Sequence, residues 1–269
     1  MVKKLGFIGA GNMAEAIIKG VRSSDKVVKI MAANKSNQER MVRLNKEYSV
    51  ISGDVSDVVQ NSEVIVLAVK PKDFPNLLLE LSKYKLGDKL VISVAAGITL
   101  EFMQKHLLGT SIVRAMPNTS SAVLQSMTGL VKGNLVTEDQ AEVVEQIFSN
   151  LGKTIWIPED KMNALIALSG SGPAYFYLFT ECLTKAGVEL GLDQSEAETL
   201  ARETIIGAGK MLANGNKSAA KLREDVTSPN GTTFAALTVF WNSKVEEIVL
   251  NAAKACAIRA SEMEGEYSR

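Results

Sequence analysis

The stretch that most constrains the fold is G-F-I-G-A-G-N-M-A at residues 6–14. The apolar residues before Gly9 predict a short buried strand, and the residues after Gly11 have the composition of a helix. In such a strand–turn–helix unit the first glycine allows a tight turn and the second admits a diphosphate. A small residue such as Ala14 then lets the helix lie close to the strand. The sequence therefore predicts dinucleotide binding; the alternative is a glycine turn without a ligand.

The alternation of strands and helices over residues 1–158 extends this prediction to a whole domain. Further strands are predicted at residues 27–33, 63–69, 89–95, 111–115, 128–132 and 153–157. After Pro158 only helical patterns follow. We therefore predict an α/β fold with a Rossmann-type dinucleotide-binding domain at 1–158 and an all-α domain at 159–269.

The segment Asn34-Lys35-Ser36 follows the second predicted strand, where this fold contacts the adenosine ribose. NAD enzymes tend to carry Asp or Glu there, and this segment has no carboxylate to repel a 2′-phosphate. Lys35 can pair with such a phosphate and Ser36 can donate a hydrogen bond. Ser36 is also a candidate N-cap, with Glu39 completing a capping box. We predict NADP(H) as the preferred cofactor and NAD(H) as the alternative.

Two other strand ends are candidates for the cofactor site, because ligands of open parallel sheets bind beyond the carboxyl ends of strands. They are Ala68-Val69-Lys70-Pro71 and Ala95-Ala96-Gly97. Position alone leaves Lys70 open as either a phosphate contact or a solvated turn residue. Thr99 is predicted to cap a helix at 101–107. That helix contains His106, the single histidine, which we interpret as a surface or packing residue.

The second half carries apolar residues at helical spacing on several segments. Residues 169–173 (S-G-S-G-P) are predicted to interrupt one helix, with Pro173 in the first turn of the next. The wide apolar faces suggest helices packed across a subunit interface. Between residues 223 and 234, Asn230-Gly231 predicts a turn with positive φ, and Thr232-Thr233 opens another helix. This helix start is either a simple N-cap or a carboxylate site, and composition leaves both open.

Composition narrows the functional classes. The chain has 30 basic and 30 acidic residues, which supplies no basic footprint for nucleic acid or a membrane surface. Cys182 and Cys256 are interpreted as buried free thiols. Without a cluster of His, Cys and carboxylates we expect no metal site. No signal peptide or membrane-spanning run is evident, so we expect a soluble, cytoplasmic protein.

Six motifs occur in one order over nearly the whole chain. They are residues 6–14 (G-F-I-G-A-G-N-M-A), 68–71 (A-V-K-P), 94–98 (V-A-A-G-I), 116–118 (M-P-N), 169–175 (S-G-S-G-P-A-Y) and 227–233 (T-S-P-N-G-T-T). Together they closely resemble pyrroline-5-carboxylate reductase, the last enzyme of proline biosynthesis. Asn230 stands where that family commonly has glycine, and Asn34-Lys35 is one of several variants at the ribose position.

The resemblance implies hydride transfer from NADPH or NADH to the C=N carbon of 1-pyrroline-5-carboxylate, which gives L-proline. By this likeness, Ile8, Gly9, Ala10, Gly11, Asn12 and Met13 hold the diphosphate, and Asn34, Lys35 and Ser36 the ribose phosphate. Ala68, Val69, Lys70 and Pro71, with Ala95, Ala96 and Gly97, line the path toward the nicotinamide. Gly231, Thr232 and Thr233 take the substrate, with the Thr233 hydroxyl near the ring nitrogen. The family forms homodimers through the helical domain, and these often assemble further into decamers.

The chemistry is consistent with the absence of a well-placed histidine. A cyclic imine is basic enough to arrive protonated, so the enzyme has mainly to orient it against the nicotinamide. One rival is a related NADP-dependent dehydrogenase of 3-hydroxy acids, or an imine reductase, with Lys161, Lys185 or Lys210 as a catalytic lysine. None of these lysines lies in a matching motif. The other rival is a non-enzymatic NADP(H)-sensing module, which would not need the second anion site.

Overall fold

The computed structural model describes residues 2–24, 28–35 and 37–267. It divides into two compact units, Met1–Ser171 with Cys256–Arg269 and Gly172–Ala255. The sequence analysis instead predicted a domain boundary between residues 158 and 159. The bounds differ because the last helix returns its C-terminal end to the first unit, where Glu264 pairs with Arg114 at 2.8 Å.

Within the described residues, the first unit is built on one sheet of eight strands. The strands are β1 Lys4–Ile8, β2 Lys29–Ala33, β3 Ile51–Ser52, β4 Val64–Leu67, β5 Leu90–Ser93, β6 Ser111–Met116, β7 Ser126–Lys132 and β8 Gly152–Trp156. They lie in the order β3-β2-β1-β4-β5-β6-β7-β8. All neighbours are parallel except β6 and β7. The strand order on either side of β1 is that of a doubly wound dinucleotide-binding fold, as predicted.

The helices connect these strands and then form the second part of the chain. They are α1 Asn12–Arg22, α2 Gln38–Tyr48, α3 Val55–Asn61, α4 Phe74–Leu81, α5 Leu100–His106, α6 Glu138–Phe148, α7 Met162–Leu165, α8 Gly172–Glu189, α9 Gln194–Ala213, α10 Ala219–Asp225, α11 Thr232–Asn242 and α12 Val245–Tyr267. After Trp156 the described residues contain no strand, which agrees with the predicted change to helices.

The core lies on both faces of the sheet, because successive side chains of a strand point in opposite directions. In β4 every residue is buried; Val64 and Val66 pack into one hydrophobic cluster, and Ile65 and Leu67 into the other. Such a strand reads as a continuous apolar run, which is why residues 63–69 could be predicted from composition.

The second unit has few buried side chains. In the described part of this unit, the buried residues of α8 and α9 are Gly172, Thr184, Ala197 and Ala201. Cys182 is exposed and Cys256 is only half-buried, so the prediction of two buried thiols is wrong, although both are free. The apolar spacing around Cys182 suggested a core position, but this face of α8 is open in the single chain.

The predicted break at residues 169–173 takes the form of a π-helix over Ile166–Gly170. The Ser171 N–H donates to the Ile166 carbonyl at 2.8 Å, the wider spacing that defines such a turn. α8 then starts at Gly172 with Pro173 in its first turn, as predicted.

No helix among the described residues is long and apolar enough to cross a membrane. No group of three His, Cys, Asp or Glu residues in this part of the chain is arranged to hold a metal ion.

Candidate functional site: a dinucleotide cleft and a second glycine-led helix start

The glycine turn between β1 and α1 has the geometry that the motif predicts. Gly9 has φ +94°, and a Cβ there would lie 2.6 Å from the carbonyl oxygen of Ala68 at the end of β4. A side chain at this position would be strained by its dihedral angle and would clash with the backbone. Glycine at position 9 is therefore required to bring the turn close to the neighbouring strand.

Gly11 serves a different purpose. It is the N-cap of α1, and no side chain caps this helix. α3, α5 and α6 are instead capped by Asp54, Thr99 and Thr137. A Cβ at Gly11 would meet nothing within 4 Å. The start of α1 is thus open, with backbone donors that an external anion can satisfy. This cradle fits the diphosphate of a dinucleotide.

A cleft of about 570 Å³ begins at this helix start and falls within the size range of small-molecule sites. Its lining comes from the ends of β1, β2 and β4 and from α3 and α4: Ile8, Gly9, Ala10, Gly11, Ala33, Asn34, Lys35, Val55, Ala68, Val69, Lys70, Lys72, Asp73, Asn76, Leu77 and Glu80. The structure therefore brings together residues from the first three segments predicted for the cofactor. Ile8 pairs in register with both Ala33 and Leu67, which aligns the three strand ends.

Other predicted cofactor residues lie outside this lining. Asn12 and Met13 continue α1 beyond the turn, and Pro71 opens a short 3-10 helix at Pro71–Asp73. Ala95, Ala96 and Gly97 follow β5. Ser36 lies outside the described residues.

Gly97 is required by packing within the first unit. It has φ +76°, and a Cβ would lie 3.0 Å from the Tyr267 ring and 3.2 Å from Met263 near the end of α12. The V-A-A-G-I segment therefore has a structural constraint beside its predicted place on the cofactor path. That place stays a prediction.

The end of the cleft that is predicted to hold the ribose contains a carboxylate that the local sequence does not reveal. The Nζ of Lys35 lies 3.3 Å from Oε2 of Glu80, which α4 supplies from 45 residues further along the chain. The segment 34–36 has no carboxylate, but the fold places one beside it. Only a prediction of how α4 packs against the β2 end could have found Glu80.

The N-cap of α2 differs from the prediction. Asn37, and not Ser36, caps this helix by accepting a hydrogen bond from the Arg40 N–H at 2.8 Å. The expected Ser36–Glu39 capping box is therefore wrong. Asn and Ser cap helices equally well, so two adjacent candidates could not be separated from the sequence.

A charged cluster joins α1 to α2 beside the glycine turn. Oε2 of Glu15 lies 2.5 Å from Arg40 and 2.6 Å from Arg43, and Arg40 also donates to the side chain of Asn12 at 2.9 Å. The hydrogen bond from Arg43, opposed by partial burial and reinforced by the charge of Arg40, holds the pKa of Glu15 below its usual value. This cluster fixes Asn12 in the first turn of α1, and the sequence analysis missed it.

The second predicted anion site lies in the second unit. Asn230 has φ +59°, which confirms the predicted turn, and Gly231 is the N-cap of α11 without a side-chain cap. A Cβ at Gly231 would lie 2.3 Å from Oγ of Ser228. Thr232 is exposed and Thr233 half-buried at the start of α11. The hydroxyl of Ser228 is thus a further polar group at this helix start that the prediction did not include.

The single histidine and the three lysines considered as catalytic residues do not line the cleft. The ring of His106 is within hydrogen-bond distance (2.9 Å) of the Phe102 carbonyl and packs edge-on against the Phe102 ring. This confirms the predicted packing role. Lys161, Lys185 and Lys210 are all exposed, and none lines the cleft beside the glycine turn.

Comparisons with known proteins agree with this arrangement. Residues 4–97 match the family described as NADP oxidoreductase, coenzyme F420-dependent, and residues 159–263 match the one described as pyrroline-5-carboxylate reductase dimerisation. Pyrroline-5-carboxylate reductase 1 of Bacillus subtilis is 38% identical over 265 residues, covering 97% of this chain and 89% of the relative. The reductase of Pisum sativum is 39% identical over 262 residues, covering 96% and 95%. The chain belongs to the pyrroline-5-carboxylate reductase family.

Solved structures of pyrroline-5-carboxylate reductases have the same fold. The enzyme from Coxiella burnetii superposes with a TM-score of 0.91 at 37% identity, covering 96% of this chain and 97% of that one. The Plasmodium falciparum enzyme, solved with NADP bound, gives 0.85 at 27% identity, with 97% and 98% covered. The predicted family and fold class are confirmed. The chain is an oxidoreductase of this family, with a nicotinamide-dinucleotide-binding fold followed by a helical dimerisation region.

Proposed function

We propose that this chain reduces 1-pyrroline-5-carboxylate to L-proline with a nicotinamide cofactor, as the last step of proline biosynthesis in the cytoplasm. The observation that carries the proposal is the pair of open helix starts at Gly11 and Gly231, in a chain whose family is named for this reaction. The reaction brings together two anionic molecules, the dinucleotide and the imino acid. Each helix start offers one anion site.

At the first helix start, Ile8 to Met13 hold the diphosphate. The tight turn at Gly9 and the open position at Gly11 let the backbone approach the phosphates, and the first N–H groups of α1 donate to them. Residues 68–71 and 95–97 line the path toward the nicotinamide. When bound, the cofactor supplies the hydride.

At the ribose end, Asn34, Lys35 and Ser36 select the cofactor. The Lys35 ammonium is exposed at the mouth of the cleft and can pair with a 2′-phosphate. Lys70 and Lys72 add positive charge to the same lining, where Asp73 and Glu80 are the acidic residues. This balance supports NADPH as the preferred cofactor, with NADH also accepted.

At the second helix start, Gly231, Thr232 and Thr233 bind the substrate. Their N–H groups point to the carboxylate, and the Thr233 hydroxyl orients the ring nitrogen. A protonated cyclic imine is already activated for hydride attack, so the site needs no strong general acid. This agrees with the position of His106, whose ring packs against Phe102.

The helical region serves assembly as well as substrate binding. Several large apolar side chains of α8 are more than half exposed in the single chain, among them Phe176, Tyr177 and Leu178. Contiguous apolar surface of this kind marks a protein interface. The match to the family's dimerisation region supports a homodimer as the functional form, with a decamer as a further assembly of dimers.

The test is consumption of NADPH by the purified chain in the presence of 1-pyrroline-5-carboxylate, beside the same assay with NADH. We expect turnover with both cofactors and a higher kcat/KM with NADPH. Turnover that is equal or better with NADH would keep the reaction and overturn the assigned preference. Folded protein that binds NADPH without turnover would refute the reaction.

A further inference from the structure

Five charged side chains line the cleft beside the glycine turn. They are Lys35, Lys70, Lys72, Asp73 and Glu80. Among these five, the ion pair in the described structure joins Lys35 to Glu80, from the β2–α2 loop to α4. The cation that was assigned to a 2′-phosphate therefore already has an anionic partner within the cleft.

The position of Glu80 is unusual for the carboxylate of a ribose site. In NAD-binding folds an acidic residue near the end of the second strand accepts from the ribose hydroxyls. Here that strand ends at Ala33 and is followed by Asn34 and Lys35, and the carboxylate comes from α4 instead. Lys35 can attract a phosphate, and Glu80 competes with that phosphate for the Lys35 ammonium group.

We propose that Glu80 is a specificity-determining residue that limits the preference for NADPH over NADH. With NADPH, Lys35 exchanges Glu80 for the 2′-phosphate, and the lost attraction between Lys35 and Glu80 is the cost. With NADH, the pair stays intact. This inference rests on the proposed function, because it assigns the adenosine ribose to this end of the cleft.

The exposure of the pair makes the exchange feasible. The side chain of Lys35 is 84% exposed and that of Glu80 is 34% exposed. Pairs of this kind contribute little to stability, because water and salt screen them. A phosphate monoester carries more charge than a carboxylate and offers three acceptor oxygens, so it competes well for one ammonium group. Glu80 thus changes the ratio of NADPH to NADH affinity by a few-fold and does not decide whether the cofactor binds.

Direct binding of NADPH and NADH to the full chain, without imine substrate, tests this proposal. Each dissociation constant is measured from the fluorescence of the reduced nicotinamide. In Glu80→Gln we expect the ratio of NADPH to NADH affinity to rise by about twofold to fivefold, with most of the change in NADPH. The matched control is Asp73→Asn, which removes the same charge from the same lining but has no ion pair with Lys35 in the described structure.

A double-mutant cycle shows whether Glu80 acts through Lys35. In a Lys35→Ala background, Glu80→Gln is expected to change the affinity ratio by much less than in the wild type. The proposal is overturned if the ratio does not rise in Glu80→Gln, if Asp73→Asn raises it equally, or if the full rise persists without Lys35.

Failure of the proposed function gives a different result. If the wild-type chain binds neither cofactor, both proposals fall. If it binds both cofactors and Glu80→Gln leaves the ratio of their affinities unchanged, the proposed role of Glu80 is wrong. The proposed reductase activity is then tested separately by the turnover assay.

Discussion

The two helices assigned to anion binding start in nearly the same way. Gly11 has φ −75° and ψ −173° before α1, and Gly231 has φ −78° and ψ 171° before α11. Neither helix has a side-chain cap, so each exposes backbone donors at its start. The backbone dihedral angles at the two positions are thus almost the same.

Their surroundings differ strongly. α1 buries six residues against the sheet, and its own unit supplies a cleft around Gly11. α11 buries none of its residues, and its unit has few buried side chains of any kind. The first helix start therefore opens into a cleft that its own unit forms. At the second, α11 is exposed, and we propose that the assembly of helical regions supplies the walls of the site.

The largest effect is expected when a charge is placed at the first helix start. In Gly11→Asp the added Cβ has no protein atom within 4 Å, and the carboxylate introduces a negative charge at the helix start assigned to the diphosphate. We expect NADPH binding to weaken by at least about a hundredfold, because like charges at short range cost several kcal/mol. The isosteric control Gly11→Asn adds the bulk without the charge and should lose about tenfold less affinity. Equal losses would assign the effect to size, and normal binding in both would remove Gly11 from the site.

A smaller effect is expected at the second helix start. Thr233→Ala should lower turnover by about tenfold to a hundredfold, because the ring nitrogen loses its orienting hydroxyl. NADPH affinity should stay nearly unchanged. The matched control is Thr238→Ala on the same helix, whose hydroxyl donates to the Phe234 carbonyl at 2.8 Å and faces no proposed ligand. Undiminished turnover in Thr233→Ala would exclude this threonine from the mechanism.

The third prediction tests whether turnover requires the assembly of the helical regions. Phe176→Arg puts a charge on the apolar face of α8, where the phenylalanine is 62% exposed. We expect a shift from dimer to monomer in light scattering at micromolar protein, with loss of turnover and retention of NADPH binding. Leu108→Arg is the control, since this residue is 83% exposed in the first unit. A wild-type monomer with full activity would contradict the dependence of the second site on assembly.

The parts of the fold that could be predicted from sequence are those fixed by local rules. The Gly9 turn follows from a backbone conformation that side chains disfavour, and φ +94° confirms it. Thr99 caps its helix as expected, because a hydroxyl before a helical pattern is a local signal. Asn230 likewise adopts the positive φ that an Asn-Gly turn predicts.

What could not be predicted depends on contacts distant in sequence. Glu80 of α4 reaches Lys35, 45 residues earlier in the chain, and Arg40 of α2 reaches Asn12 of α1. The exposure of Cys182 is of the same kind. Its apolar spacing indicates a buried face, but spacing does not say whether the chain itself or a second copy covers that face.

The most direct test follows the hydride from cofactor to product. The full chain is incubated with 1-pyrroline-5-carboxylate and NADPH deuterated at both C4 positions, and the amino acid formed is examined by mass spectrometry and chiral chromatography. If the assigned reaction is correct, the product is L-proline with one deuterium, located at C5. Proline without deuterium, or no proline from protein that binds NADPH, would contradict the assignment of this chain as the reductase.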